Sequence, residues 1–200
     1  MSEYRRPYVA GGTYFITQVT YQRNPWLCSE LGRKALREAI TRVREKYPFR
    51  VDAFVLLPDH FHCILTLPSE DQDFSIRLRL IKSHVTRHYG TELGIKQEIS
   101  WSRQKRKESN LWQRRFWEHL IRDERDYSLH CDYIHHNPVR HKLCLKPKDW
   151  LFSSIHRFTA QEIYPADWGT NKNTEIAIAP QEPLIGVLAQ RNAPINQQIK

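Results

Sequence analysis

Residues 58–68 read PDHFHCILTLP and are the most informative stretch of this 200-residue chain. The apolar run between the two prolines predicts a β-strand, in which successive side chains face opposite sides of a sheet. His60 and His62 therefore face one side, while Phe61 and Cys63 face the other. Two imidazoles separated by two strand rises, roughly 6 to 7 Å, could hold a divalent metal between them. Two hydrogen-bonded histidines are the alternative, because polar rings in an apolar strand require partners.

Strand and helix patterns alternate on either side of this segment. β-Branched and aromatic residues mark the strands, and apolar residues at every third or fourth position mark the helices. The patterns predict strands over 13–20, 51–57, 60–67 and 115–122, and helices over 29–46, 73–90 and 123–138. The stretch from Ser100 to Arg115 has little periodicity and is expected to form a loop.

The order of these elements predicts the fold class. Strand, helix, hairpin, helix, strand and helix follow one another as in an α+β, ferredoxin-like antiparallel sheet, with helices packed mainly on one face. A chain of this length can bury one sizeable core. We therefore expect a single domain over residues 1–158, followed by a tail over residues 159–200.

Composition and charge restrict the class of partner. The hydrophobic share of 40% is that of a globular protein and excludes wholesale disorder. The formal net charge of +9 indicates a nucleic-acid partner, because Lys and Arg gain affinity by releasing counterions from phosphates; simple solubility is the alternative. The four cysteines form no CxxC pair, which argues against a zinc ribbon or a disulfide framework. With no apolar run of about 20 residues and no signal-peptide pattern, we expect no membrane contact and a cytoplasmic, nucleoid-associated location.

The predicted last helix carries a second group of polar residues. Tyr133 and Asn137 are four residues apart and share a helix face with His130 and Asp126. If the adjacent apolar stripe packs on the sheet, the phenol and the amide approach the histidine pair. A phenol with a pKa near 10 needs a metal or a base to act as a nucleophile, and His130 is a candidate base. The alternatives are a core tyrosine and an Asn-Pro helix stop.

A basic and aromatic segment precedes the last predicted strand. Positive side chains interleaved with tryptophans suit phosphate contacts and base stacking, although a solvated loop has the same composition. The candidate DNA-binding residues here are Trp101, Arg103, Lys105, Arg106, Lys107, Trp112, Arg114 and Arg115. The tail, rich in Asn, Gln and Pro, is expected to be mobile or to contact DNA.

Three blocks together resemble a known family: LPDHFHCILTLP, LWQRRFWEHLIRDERDY, and YIHHNPVRHKL followed by DWLFSS. They are similar to the HUH single-tyrosine, IS200-like transposases, specifically the REP-associated tyrosine transposases, over roughly residues 4–158. The resemblance implies a ferredoxin-like domain that binds Mg²⁺ or Mn²⁺. It also implies cleavage of single-stranded or hairpin DNA at REP-like palindromes through a 5′-phosphotyrosine link.

On this resemblance, His60 and His62 match the metal ligands, Tyr133 matches the nucleophile, and Asn137 falls where relatives place a third ligand. The N-terminal arm, with Tyr4, Arg5, Arg6 and Tyr8, resembles the family segment that reads a short guide sequence beside the hairpin. The chain departs from the family after NPVR, where His141-Lys142 replaces a small residue and glycine and puts the tightness of that turn in doubt. The superfamily contains monomers and dimers, so the oligomeric state stays undecided.

Three classes of function are compatible with these features. The first is an endonuclease and strand transferase that forms a covalent tyrosine intermediate. The second is a hairpin-specific DNA-binding protein whose catalysis has faded. The third is a metal-dependent hydrolase that uses water and leaves no covalent adduct.

Overall fold

The computed structural model describes residues 7–93, 101–105 and 110–170. The strands are β1 (Thr13–Val19), β2 (Arg50–Leu56), β3 (His60–Thr66) and β4 (Trp117–Leu120). The helices are α1 (Glu30–Lys46), α2 (Phe74–Leu93), α3 (Trp101–Lys105), α4 (Glu124–Arg140) and α5 (Ile155–Ala160), with short 3₁₀ turns at Tyr21–Arg23 and Pro147–Asp149. Within these ranges, no helix combines the length and the hydropathy needed to cross a membrane.

The four strands form one antiparallel sheet in the order β2-β3-β1-β4. The central pair aligns Val19 with His60 and Thr17 with His62, so both histidines lie in the middle of the sheet. With α1 between β1 and β2 and α2 between β3 and β4, this is the ferredoxin-like arrangement that the sequence predicts. The α+β fold class is therefore confirmed.

Both faces of the sheet are covered by helices. Tyr14 and Ile16 of β1 belong to the larger core, under α1 and α2, whereas Phe15 belongs to a second core, under α4 and α5. The prediction that the helices pack mainly on one face thus holds for α1 and α2, whereas α4 and α5 cover the opposite face. The pleat of the strand explains the difference, because successive side chains of β3 face opposite sides of the sheet. Ile64 and Leu65 are both apolar, so both faces must be covered by helices.

Helix starts follow the sequence pattern more closely than helix ends do. The Ser29 hydroxyl accepts a hydrogen bond from the Gly32 amide at 3.0 Å, and Asp123 caps α4 through the Asp126 amide at 2.8 Å. The stops expected at residues 90 and 138 are wrong. Gly90 lies inside α2, and Pro138 lies inside the last turns of α4.

The stretch from 100 to 115 is not simply a loop. Residues 101–105 form α3, and Trp112 is 3% exposed, with its ring packed against those of Trp26 and Phe61. An isolated bridge joins Trp112 to Thr20 at the end of β1. The buried tryptophan holds the end of this segment against the larger core.

The expected tail begins later than residue 159. Tyr164 is 9% exposed and stacks on Trp168 at 4.2 Å between ring centroids. Its hydroxyl donates a hydrogen bond to Asp132 of α4 at 2.6 Å. Residues 159–170 therefore belong to the packed domain, and residues 171–200 lie outside the described residues.

Candidate active site

The two histidines of β3 lie side by side on the face that α4 covers. Their side chains are buried, and the ring centroids of His60 and His62 are 4.9 Å apart at 84° to each other. This is the same-face geometry that a spacing of two on a strand dictates. The pair is thus close enough for both rings to contact one ion.

Each histidine has a partner on its Nδ1 atom. Nδ1 of His60 donates to the Asp59 carboxylate at 2.6 Å, and Nδ1 of His62 lies 2.8 Å from the Thr17 hydroxyl. Burial raises the pKa of Asp59, but His60 and Arg23 together hold it at about 2, so this carboxyl is ionised. The donor bond from His60 leaves the lone pair of that ring on Nε2, the arrangement found in histidines that bind metals.

His62 is held in its neutral form. Burial lowers its pKa well below the usual value, and the positive charge that His60 and His141 can carry lowers it further. A neutral imidazole is the form that coordinates a metal ion. The environment of His62 thus suits a ligand, although the same burial would suit a hydrogen-bonded core histidine.

Helix α4 carries the predicted nucleophile to this pair. The ring of Tyr133 lies 5.2 Å from that of His62, at 75°, and 5.7 Å from that of Phe15. Tyr133 is 8% exposed, so it is a buried side chain held by packing. The structure therefore brings together the tyrosine and the histidines that the sequence places 71 and 73 residues apart.

Asn137 lies on the same face of α4, one turn beyond Tyr133. His141, one further turn along, has its ring 5.0 Å from that of His60, so Asn137 is flanked by two residues that contact the histidine pair. Asn137 is 1% exposed, and neither atom of its amide has a hydrogen-bond partner among the described residues. Buried polar atoms normally have partners, and an ion held with His60 and His62 would supply one. These three residues fit a divalent cation.

His130 lies on α4, about one helical turn before Tyr133. Its Nδ1 donates to the Asp126 carbonyl at 2.7 Å, and its ring stacks on that of His119 at 4.7 Å. The Phe15 ring contacts both His130, at 4.8 Å, and Tyr133. The His130 Nε2 atom is buried with no hydrogen-bond partner within the described ranges, so the structure does not join it to the Tyr133 hydroxyl.

His119, Asp126 and His130 place three possible ligand atoms within 4.8 Å of one another. Their hydrogen bonds argue against a second metal there. Burial raises the pKa of Asp126, but His119 and Arg122 hold it at about 2, with bonds of 2.8 and 3.0 Å to one carboxylate oxygen. The Nδ1 atom of His130 donates a hydrogen bond to the backbone carbonyl of Asp126. The cluster is a network of hydrogen bonds in which the His130 Nε2 atom lacks a partner among the described residues.

The candidate DNA-contact residues divide into three groups. Trp101 is 74% exposed with the Lys105 ammonium 5.1 Å from its ring, and Tyr8, Arg114 and Arg115 are also exposed. Trp112 is buried and is a core residue, and Arg103 stacks 4.0 Å from the Tyr21 ring and donates to the Trp112 carbonyl. The residues that lie outside the described ranges are Tyr4, Arg5, Arg6, Arg106 and Lys107.

Known proteins are similar to this chain over most of its length. A family model described as IS200-like transposase matches residues 8–137, more than half of the chain. The chain belongs to this transposase family. A Haemophilus influenzae relative assigned to the REP-associated tyrosine transposases is 43% identical over 176 residues, covering 88% of this chain and 98% of the relative. The REP-associated tyrosine transposase of Escherichia coli K12 is 43% identical over 169 residues, covering 84% and 91%.

A solved structure extends the similarity to the fold. It shows a REP-associated tyrosine transposase bound to a REP hairpin, with 43% identity and a TM-score of 0.71. The match covers 86% of this transposase and 93% of that chain. The resemblance to REP-associated tyrosine transposases is thereby confirmed, and with it the general class of enzyme.

The transposase has one feature at the site that the sequence pattern did not identify. His141 ends α4 and its ring contacts His60, while Lys142 takes the left-handed φ of 58° where relatives were expected to have glycine. Lys142 thus adopts the left-handed conformation that glycine adopts more readily. The spacing of Tyr133, Asn137 and His141 at intervals of four was the available signal, because these residues fall on one helix face.

Proposed function

We propose that this transposase cleaves and rejoins single-stranded DNA at REP-type hairpins, with Tyr133 as the nucleophile. In this proposal His60, His62 and Asn137 hold Mg²⁺ or Mn²⁺. The observation that carries the proposal is the contact of the Tyr133 and His62 rings at 5.2 Å across α4 and β3. The names of the relatives and the hairpin in the similar structure support the class of DNA.

The proposed reaction is a transesterification. The Tyr133 oxygen attacks the scissile phosphorus, a tyrosine–phosphate bond forms, and the bond from phosphorus to the 3′ oxygen breaks. The phenol releases its proton, and the departing 3′ oxygen takes one up. The downstream DNA stays linked to the protein through its 5′ phosphate, and a free 3′ hydroxyl can attack that bond to rejoin the strand. A bound divalent ion would polarise the phosphate as a Lewis acid.

Denaturing electrophoresis tests the chemistry directly. The transposase is incubated with Mn²⁺ and a REP-type hairpin labelled at its 3′ end, and we expect a labelled band at the size of protein plus DNA. Tyr133→Phe is expected to lose this adduct and to keep hairpin binding. Tyr127→Phe, on the same helix but packed in the smaller core, is the matched control and is expected to keep the adduct.

The same experiment separates the two competing functions. Strand cleavage without any adduct would identify a hydrolase that uses water. Hairpin binding with neither cleavage nor adduct, in both Mn²⁺ and Mg²⁺, would identify a DNA-binding protein without catalysis. Either result would remove Tyr133 from the role of nucleophile.

His130 is the proposed acceptor of the phenol proton. Its hydrogen bond to the Asp126 carbonyl leaves the lone pair on Nε2, and burial lowers its pKa, so the ring is a neutral base. The role requires the Tyr133 hydroxyl to reach His130 past Phe15 when DNA binds. We expect His130→Gln to slow adduct formation by roughly 10²- to 10⁴-fold at unchanged hairpin affinity. An unchanged rate would exclude His130 as the base.

A further inference from the structure

Two arginines lie close to the candidate site, and neither was singled out by the sequence pattern. Arg23, in the turn after β1, donates to the Asp59 carboxylate at 2.8 Å, and Asp59 in turn holds His60. Arg140, in the last turn of α4, lies with its guanidinium 5.4 Å from the Tyr133 ring centroid. One guanidinium thus lies beside the carboxylate that holds His60, and the other lies beside the proposed nucleophile, Tyr133.

Both arginines are open to solvent and close to the site centre. The Arg23 side chain is 51% exposed, and Arg140 is also exposed. Guanidinium groups bind phosphate oxygens in a planar, two-point geometry, so this placement suits a strand that crosses the histidine pair.

The backbone around Arg23 is strained in a way that its ion pair does not explain. Gln22 and Arg23 both adopt left-handed φ angles, of 52° and 54°. The Thr20 hydroxyl lies 2.9 Å from the Asp59 carbonyl, and the Tyr21 amide donates to the Leu111 carbonyl at 2.9 Å. These bonds fix the turn, whereas an exposed ion pair contributes little. Strain that is maintained by surrounding structure is typical of functional positions.

We propose that Arg23 and Arg140 form a phosphate clamp that holds the DNA strand on the two sides of the scissile phosphate. This inference rests on the proposed function, because it places the strand across Tyr133 and the histidine pair. Asp59 orients the Arg23 guanidinium and His60 together. Arg23 and Arg140 are therefore positioning residues, and the DNA phosphates on either side of the cleaved bond are their ligands.

The salt dependence of binding measures this clamp. For single-stranded DNA, each phosphate contact that is lost reduces the slope of log K against log salt by about 0.7. We expect Arg23→Gln and Arg140→Gln each to reduce the slope by about this amount in a fluorescence titration with a REP-type hairpin carrying single-stranded flanks. Arg37→Gln is the charge-matched control, because Arg37 is exposed on α1, on the opposite face of the sheet.

Two further variants separate a clamp from a change in structure. Arg23→Lys and Arg140→Lys keep the positive charge and are expected to restore most of the slope. Asp59→Asn keeps the charge of Arg23 but removes the carboxylate that orients it, so it is expected to reduce the slope by less than Arg23→Gln does. A slope unchanged in both glutamine variants, or lost as fully in the lysine variants as in the glutamine variants, would overturn the clamp.

The salt-dependence experiment and the covalent-adduct experiment can fail independently of each other. If the wild type forms the covalent adduct and the glutamine variants keep the full slope, the clamp fails and the proposed function stands. If the wild type forms no adduct but the slopes fall as expected, the proposed chemistry fails and the two arginines are still phosphate contacts. In a wild type that does cleave, single-turnover adduct formation at saturating DNA is expected to slow by roughly tenfold or more in Arg140→Gln, because the phosphate is no longer aligned with Tyr133.

Discussion

The Asp59 carboxylate accepts hydrogen bonds from two side chains, the imidazole of His60 and the guanidinium of Arg23, to which we assign different roles. A second partner that fixes the tautomer of a metal-binding histidine typically changes metal affinity by 10- to 100-fold. We expect Asp59→Asn to weaken Mn²⁺ binding by a factor in this range, as measured by isothermal titration calorimetry. Asp149→Asn, at an exposed position in the 3₁₀ turn after α4, is the control. Equal affinities for Asp59→Asn and wild type, with His60→Ala defective, would show that Asp59 does not orient the ligand.

Two tryptophans from one segment have opposite environments. Trp101 is exposed beside Lys105, whereas Trp112 is buried against Trp26. We expect Trp112→Ala to lower the free energy of unfolding by about 3–5 kcal/mol in urea titrations.

Trp101→Ala is expected to leave stability unchanged and to weaken binding of single-stranded DNA by about 1–3 kcal/mol, the value of one stacked base. A Trp101 variant with wild-type DNA affinity would exclude the stacking role.

At the scale of the helices, two glycines allow opposite predictions. A Cβ added to Gly90 in α2 would meet its nearest atoms at 3.8 and 4.0 Å, which is ordinary contact. Gly90→Ala is therefore expected to raise the free energy of unfolding by about 0.5–1 kcal/mol, because alanine is the better helix former. A Cβ on Gly32 in α1 would meet the Leu27 carbonyl at 2.9 Å and the Trp26 carbonyl closer still.

Gly32→Ala is thus expected to destabilise the protein, although both glycines lie in helices. Thermal unfolding of the two variants gives the comparison. A lower melting temperature for Gly90→Ala would mean that α2 does not continue through this residue as it does here. A higher one for Gly32→Ala would mean that the start of α1 can move away from the turn before it.

The same elements show why part of the fold was predictable from the sequence. Alternation in β3 and the Ser29 cap of α1 depend on residues close in sequence, and both were predicted correctly. The end of α2 depends on tertiary contacts, because Leu93 is buried beyond Gly90. Burial of Trp112 likewise depends on a distant partner, Trp26. Local patterns carry no information about such contacts, which is why these two features were missed.

The candidate site was predictable to a similar extent. The spacing of two on β3 and of four on α4 placed His60 with His62 and Tyr133 with Asn137, and the structure brings the two groups together. Arg23 was missed, because its position depends on a left-handed turn of two residues that are not glycine. Such a turn is held by bonds from other segments, and neighbouring residues do not specify it.

At the scale of the whole molecule, one buried histidine connects the sheet, α4 and the C-terminal part of the domain. His135 is 0% exposed, and its Nε2 lies 2.7 Å from the Ser154 hydroxyl, which accepts a bond from the Phe54 amide. Its Nδ1 lies 3.3 Å from the Tyr164 hydroxyl, whose proton goes to Asp132. The network is complete with a neutral ring, so protonation would place an uncompensated charge in the smaller core.

Burial lowers the pKa of His135 from its ordinary value near 6.5 to about 3. Between these two values the unfolded chain binds a proton that the folded chain does not, so stability is full above pH 6.5 and falls as the pH drops toward 3. One such group contributes a slope of at most about 1.4 kcal/mol per pH unit. Glutamine at position 135 cannot be protonated, and we expect His135→Gln to reduce the slope of unfolding free energy against pH by up to this amount between pH 5 and 6. Urea titrations at half-unit steps of pH measure it, and parallel curves for variant and wild type would show that His135 is not the buried group that makes the folded domain sensitive to acid.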